Sequence, residues 1–242
     1  MNSQGLPLKY LLQLKNRISY LYSLNKPLFM SVPTLFTVPR NLLFSLGLPS
    51  AENTFYQLKP DELKKQCLER NEGILNETGD RLIDAGKFSD ESSKDQLIVR
   101  DEVTQSSINR NEWDQWIEEK NFNIVYQKIV AHLSGKDIWI RDGYTSADPD
   151  RRLNIRIINE TPPGNLFAYN MLLPPTEEEL KNFIPVWYVI HVPTFIADPG
   201  TDGASDRNFT MISFTKKTIL IGGTADPGEI RKAVCTVLNF LF

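Results

Sequence analysis

The chain has 242 residues, enough to bury a substantial core, and its balance of 41% hydrophobic and 24% charged residues is ordinary for a soluble globular protein. A formal charge of −3 gives no reason to expect nucleic acid as a partner. The two cysteines, Cys67 and Cys235, have no metal-ligand spacing and make no disulfide framework. A reducing compartment is expected, with a buried structural place for each thiol.

Charge divides the chain near residue 50. Met1–Ser50 holds five of the 27 basic residues (Lys9, Lys15, Arg17, Lys26 and Arg40) and none of the 30 acidic ones. Within it, Leu11, Leu14, Ile18 and Leu21 recur at three- and four-residue steps, the pattern of an amphipathic helix. Pro27, Pro33 and Pro39 then punctuate an apolar stretch, and no window reaches the length of a membrane-spanning helix. A basic, acid-free, amphipathic segment has the composition of a mitochondrial transit peptide. The alternative is an extension that packs against the domain or a partner. Residues 1–50 are therefore read as an extension and residues 51–242 as the folded domain, with a mitochondrial setting expected and a cytoplasmic one as the alternative.

The body of the chain is more regular. Pro60 opens a helix through Glu69, with Asp61 and Glu62 in the first turn, where negative charge suits the helix dipole. Leu82–Ile83 and Gln96–Val99 read as short strands flanking a polar loop, Ser89–Asp95. The spacing predicts a helix from about Glu112 to Leu133, broken near Asn121–Asn123. Strands are predicted at Asp137–Arg141, Leu153–Ile158, Val186–Val192, Phe209–Phe214 and Thr218–Ile221. The alternation of Leu153-Asn154-Ile155-Arg156-Ile157 predicts a half-buried strand, and the apolar run Val186–Ile190 one covered on both faces. Short helices are expected at Asn165–Met171 and Glu177–Phe183, the second capped by Thr176. A last helix is expected from Pro227 to about Leu241, with Ile230, Val234, Val237, Leu238 and Leu241 as its apolar stripe. Phe240 and Phe242 should either fold back into the core or be covered by another polypeptide. The fold class is α/β (or α+β), a mixed sheet with flanking helices. His132 and His191 share no carboxylate or cysteine motif, and both are read as core or surface residues. Asp148-Pro149-Asp150 and Asp198-Pro199 are read as turns.

Eight collinear blocks carry a resemblance. They include Leu68-Glu69-Arg70-Asn71-Glu72-Gly73, Asp84-Ala85-Gly86-Lys87-Phe88, Ser92-Ser93-Lys94-Asp95, Arg152-Leu153-Asn154-Ile155-Arg156, Asn165-Leu166-Phe167-Ala168 and Leu220-Ile221-Gly222-Gly223-Thr224. From about Tyr56 to Phe242 the chain resembles the amino-terminal domain of ATP-dependent phosphoenolpyruvate carboxykinase. That family converts oxaloacetate and ATP to phosphoenolpyruvate, carbon dioxide and ADP with magnesium and manganese. The resemblance implies a mixed sheet forming one wall of the active-site cleft, with the phosphate-binding loop in the half beyond it. No G-x-x-x-x-G-K-[ST] spacing occurs in the 242 residues.

The matching region departs from the family at its substrate positions. Glu91 stands where the resemblance places a carboxylate-binding Arg, flanked by Asp90 and Ser93 instead of Gly and Pro. Asp226 stands where it places an aromatic residue, usually Tyr, beside phosphoenolpyruvate. Arg231 and Lys232 match two family lysines, Lys232 being the one that approaches manganese. Lys232 and Arg231 are therefore relict ligand positions, Glu91 and Asp226 degenerate ones. No catalytic residue, metal ligand or cofactor is expected. The function expected is that of a catalytically inactive family member, a structural or accessory subunit meeting other protein through residues 1–50 and the terminal helix. The alternatives are one half of a split carboxykinase and a sensor for phosphoenolpyruvate or another dicarboxylate.

Overall fold

The structure is a computed structural model that describes residues 53–76, 82–83, 96–107, 115–204 and 206–242. The extension 1–50 and the loop Ser89–Asp95, with Glu91, lie outside the described residues.

Ten strands and seven helices are described. In chain order they are β1 (Thr54–Tyr56), α1 (Pro60–Glu69), β2 (Ile74–Leu75), β3 (Leu82–Ile83), β4 (Gln96–Arg100), α2 (Glu102–Ser107), β5 (Trp116–Glu118) and α3 (Glu119–His132). Then follow β6 (Ile138–Tyr144), β7 (Asn154–Asn159), α4 (Pro162–Met171), α5 (Glu177–Lys181), β8 (Trp187–Val192), α6 (Pro199–Asp202), β9 (Phe209–Ser213), β10 (Thr218–Gly222) and α7 (Gly228–Leu241). Eight strands form one mixed sheet in the order β1-β6-β7-β8-β10-β9-β4-β5, while β2 and β3 pair separately. β7, β8 and β10 run parallel to one another, and β6 and β9 flank them antiparallel. The expected mixed sheet with flanking helices is the fold that forms.

Both faces of the sheet are covered, and the two-residue period of each strand divides its side chains between two cores. On one face Phe122, Val125 and Ile129 of α3 pack on Ile138, Ile140, Ile158, Ile190 and Leu220. On the other, Ala168 of α4 and Ile230, Ala233, Val234 and Val237 of α7 pack on Ile155, Ile157, Val189, Ile219 and Ile221. A smaller cluster joins Leu63 of α1 to Trp139, with Phe55 stacked on the indole at 5.1 Å between ring centres.

The predicted helices at 60–69 and 177–183 start where their first-turn chemistry places them. Thr176 accepts the Glu179 amide while Glu179 reaches back to the Thr176 amide, a reciprocal cap. Asp198 likewise accepts the Gly200 amide to open α6, so Asp198-Pro199 is a helix start and not only a turn.

Four expectations are corrected. Residues 116–118 form an edge strand on β4, and α3 runs unbroken through Asn121–Asn123. Trp116-Ile117 satisfies a helical period by coincidence, its real partners being Ile98 and Val99. β7 is covered on both faces, because Arg156 is 3% exposed and paired. Cys67 is buried, whereas Cys235 lies on the solvent side of α7 and is exposed. At the terminus Phe240 folds back onto Phe214, with ring centres 4.0 Å apart, while Leu241 and Phe242 stay exposed. Among the described residues no helix is long and apolar enough to cross a membrane.

Candidate functional site

The parallel strands β7, β8 and β10 end at the same edge of the sheet, where open α/β sheets gather their ligand sites. The turn after β10 carries Gly222, Gly223, Thr224 and Asp226 into the first turn of α7. Gly223 has φ +76°, and a Cβ there would fall 2.6 Å from Asn208 Oδ1 and 2.8 Å from the Arg207 carbonyl. Only glycine fits this tight turn.

Thr224 is fully buried, and its Oγ1 accepts the Asp226 amide at 3.0 Å. Asp226 in turn accepts the Gly228 amide on Oδ1 at 2.8 Å. Its carboxylate therefore serves the start of α7, satisfying a helix donor that no intrahelical acceptor reaches. An aromatic side chain at this position cannot make that bond. The degenerate position has thus acquired a local structural role.

Lys232 and Glu229 occupy one side of α7. Lys232 Nζ donates to Glu229 Oε1 at 2.6 Å, and Glu229, 1% exposed, also accepts from Thr210 Oγ1 at 3.3 Å. The Glu229 hydrogen bond raises the Lys232 ammonium above the usual lysine range, with Asp226 adding to it. Arg231 faces solvent. The turn therefore brings together Asp226, Glu229 and Lys232, a cluster of two carboxylates and one ammonium. Lys232 offers a single nitrogen already held by Glu229, which does not fit a manganese seat by itself. Among the described residues no three His, Cys, Asp or Glu side chains gather as a metal site.

A buried hydrogen-bond chain that sequence reasoning missed runs beneath this turn. His191 Nε2 donates to the Thr224 carbonyl at 2.9 Å, and Asn159 Nδ2 lies 3.5 Å from His191 Nδ1. Asn165 Nδ2 donates to Asn159 Oδ1 at 3.1 Å, and Arg141 Nη2 donates to Asn165 Oδ1 at 3.0 Å. Burial lowers the His191 pKa and keeps the ring neutral. The available signal was a set of polar residues inside apolar strands: Arg141, Asn159 and His191 each interrupt a hydrophobic run.

A second polar group sits at the same sheet edge on the α3 face. Glu160, just past β7, accepts from Lys136 Nζ at 2.6 Å, meets His132 Nε2 at 2.8 Å, and accepts the Thr194 amide at 3.0 Å and its hydroxyl. Burial pushes this carboxyl up, but the bonds from His132, Lys136 and Thr194 outweigh it and hold Glu160 at about 2. His132 is therefore part of a carboxylate cluster that its sequence context did not announce.

A family model described as Phosphoenolpyruvate carboxykinase matches residues 52–242. The chain is 41% identical over 199 residues to Phosphoenolpyruvate carboxykinase (ATP) of Amoebophilus asiaticus, an alignment covering 82% of this chain and 38% of that protein. It is 41% identical over 186 residues to the protein of the same name from Christiangramia forsetii, covering 77% and 35%. Against that of Flavobacterium johnsoniae it is 40% identical over 199 residues, covering 82% and 37%. The chain thus spans well under half the length of these curated relatives. With the blocks in order and the fold a mixed sheet, the chain belongs to the ATP-dependent phosphoenolpyruvate carboxykinase family.

Proposed function

We propose that this 242-residue chain does not convert oxaloacetate by itself and acts as a structural or accessory subunit of a larger assembly. The observation that supports this reading is the arrangement around Asp226. Where the family resemblance implies an aromatic face for phosphoenolpyruvate, a carboxylate caps α7, and the neighbouring Lys232 is engaged by Glu229. The Asp226 carboxylate repels an anionic substrate, and the Lys232 ammonium that would attract it is already engaged by Glu229. Glu91 in place of the carboxylate-binding Arg acts in the same direction. The test is ATP-dependent release of carbon dioxide from oxaloacetate by the purified chain. None above a buffer control is expected, and turnover would overturn the proposal.

The subunit role includes the acid-free extension. Residues 1–50 are proposed to attach the domain to other protein, in a mitochondrial setting, because their apolar residues recur at helical spacing. Native mass measurement of the protein from its source reads this directly. Recovery only as a monomer would overturn the attachment.

A further inference from the structure

Ile184 is 75% exposed, more than any other large apolar side chain among the described residues. It does not sit on a loose loop. Its carbonyl accepts from Asn154 Nδ2 at 3.1 Å, and two residues on the Val186 amide donates to the Asn154 carbonyl at 2.7 Å. Asn154 is the register partner of Tyr144, which exchanges two backbone bonds with Leu173, both 2.9 Å. On the other side of β8 the Tyr188 amide donates at 2.9 Å to the carbonyl of Lys217, in the turn between β9 and β10. Leu173, Tyr144, Asn154, Val186 and Lys217 thus follow one another across the end of the sheet opposite the Asp226 turn. Four inter-strand steps make this row about 19 Å long.

The row is apolar through its middle and oppositely charged at its ends. Leu173, Ile184 and Val186 are exposed, while Phe183 turns onto the Tyr144 ring, with ring centres 5.6 Å apart. Next to Leu173, α5 presents Glu177, Glu178 and Glu179, all exposed, of which Glu179 is used in the Thr176 cap. At the other end Lys216 and Lys217 are exposed. The turn between β6 and β7 carries both signs, Asp148 and Asp150 with Arg151 and Arg152. Lys181 meets Glu178 and Lys216 meets Glu119, but both are exposed pairs of the kind that contributes little. The two ends lie further apart than the roughly 8 Å over which charges act at physiological salt, so they do not neutralise each other within one copy. A surface with an acidic end, an apolar middle and a basic end is complementary to itself after a half-turn.

We propose that this edge pairs with the same edge of a second copy of the chain, about a two-fold axis near Asn154, where Ile184 is held. The axis sets the exposed aliphatic side chains of the two copies against each other. It also brings α5 of each copy opposite the Lys216–Lys217 turn of the other. The apolar centre is small, so the dimer is weak and reversible. The pairing lies wholly within the domain and rests on neither residues 1–50 nor the Asp226 turn.

The experiment is sedimentation equilibrium on the purified full-length chain, in reductant so that the exposed Cys235 forms no disulfide. A monomer–dimer equilibrium is expected, with Kd on the order of 10–100 μM and a weakening as salt rises. Ile184→Lys sets like charges together at the axis and should leave the chain monomeric. Glu177→Lys and Lys217→Glu should each weaken the dimer about tenfold. Combined in one chain they should restore it, because the exchanged signs face each other again. This charge exchange keeps the test decisive if Ile184→Lys does not fold. A wild-type chain that stays monomeric throughout would overturn the proposal. So would a dimer that Ile184→Lys leaves intact, which would place the contact elsewhere in the chain, or a double variant no tighter than the single ones.

Discussion

Arg156 on β7 and Asp142 on β6 are register partners across the antiparallel pair, and the guanidinium meets the carboxylate with two bonds, Nε to Oδ1 and Nη2 to Oδ2, both 2.7 Å. Asp142 is 1% exposed and Arg156 3%. The Tyr56 hydroxyl adds a third bond to Oδ2 at 2.7 Å, tying β1 into the pair. Breaking one partner of such a pair leaves the other charge buried and alone. Arg156→Met is expected to cost about 3–5 kcal/mol, read from urea unfolding. Tyr56→Phe should cost about 1–3 kcal/mol, since it removes one bond to a charged group. A loss below about 1 kcal/mol for Arg156→Met would mean that Asp142 finds another partner.

Below about pH 4.5 acid should act through Glu160. Its folded pKa of about 2 lies below the ordinary glutamate value, so its bonds to His132, Lys136 and Thr194 stabilise the fold fully above about pH 4.5. That contribution falls away as pH drops toward 2. The span corresponds to something on the order of 3 kcal/mol. Glu160→Gln should flatten the acid limb of a stability-against-pH curve, and an unchanged limb would refute the assignment.

The two thiols should separate cleanly. Burial, aided by Glu72, pushes the Cys67 thiol up to about 12, whereas Cys235 is exposed. A thiol reagent at neutral pH should modify one cysteine in the folded chain and two in denaturant. Rapid modification of both in the native state would show that α1 opens readily.

Restoring the family residues at the two degenerate positions tests the anion-site reading. Glu91→Arg with Asp226→Tyr should raise affinity for phosphoenolpyruvate, measured by calorimetry, without creating turnover. Asp226→Tyr alone should cost about 1 kcal/mol of stability, because the Gly228 amide loses its acceptor. Unchanged affinity in the double variant would mean that the site has been remodelled beyond these positions.

Much of the fold was legible because strand and helix periods differ and the core-facing residues are strongly apolar. β10 and α7 are clear examples: Thr218–Ile221 and Ile230, Val234 and Val237 fall where the patterns put them. Trp116-Ile117-Glu118 was misread because three residues cannot distinguish the two periods, and only pairing with β4 decides. Arg156 was misread because alternation records polarity and not exposure. A charged side chain whose partner is fourteen residues away in sequence looks like a solvent-facing one. Asp226 and Lys232 were found through the resemblance, but the capping bond and the Glu229 pair depend on local geometry that no spacing encodes.

The buried chain beneath the Thr224 turn has a direction. A carbonyl can only accept, so His191 must carry its proton on Nε2 and leave Nδ1 as an acceptor. Asn159 must then turn its nitrogen toward the ring and its oxygen toward Asn165, which turns its own oxygen toward Arg141. Each amide is thereby locked in one of its two orientations by a carbonyl at the far end of a relay crossing three strands. Protonating His191 would set donor against donor and put the whole relay out of phase. Because its folded pKa is depressed, the stability this order provides is complete above about pH 6.5 and ebbs as pH falls through the folded value. The carbonyl after β10 and the donor-only guanidinium on β6, which never touch, thus fix from opposite ends the sense of every amide between them.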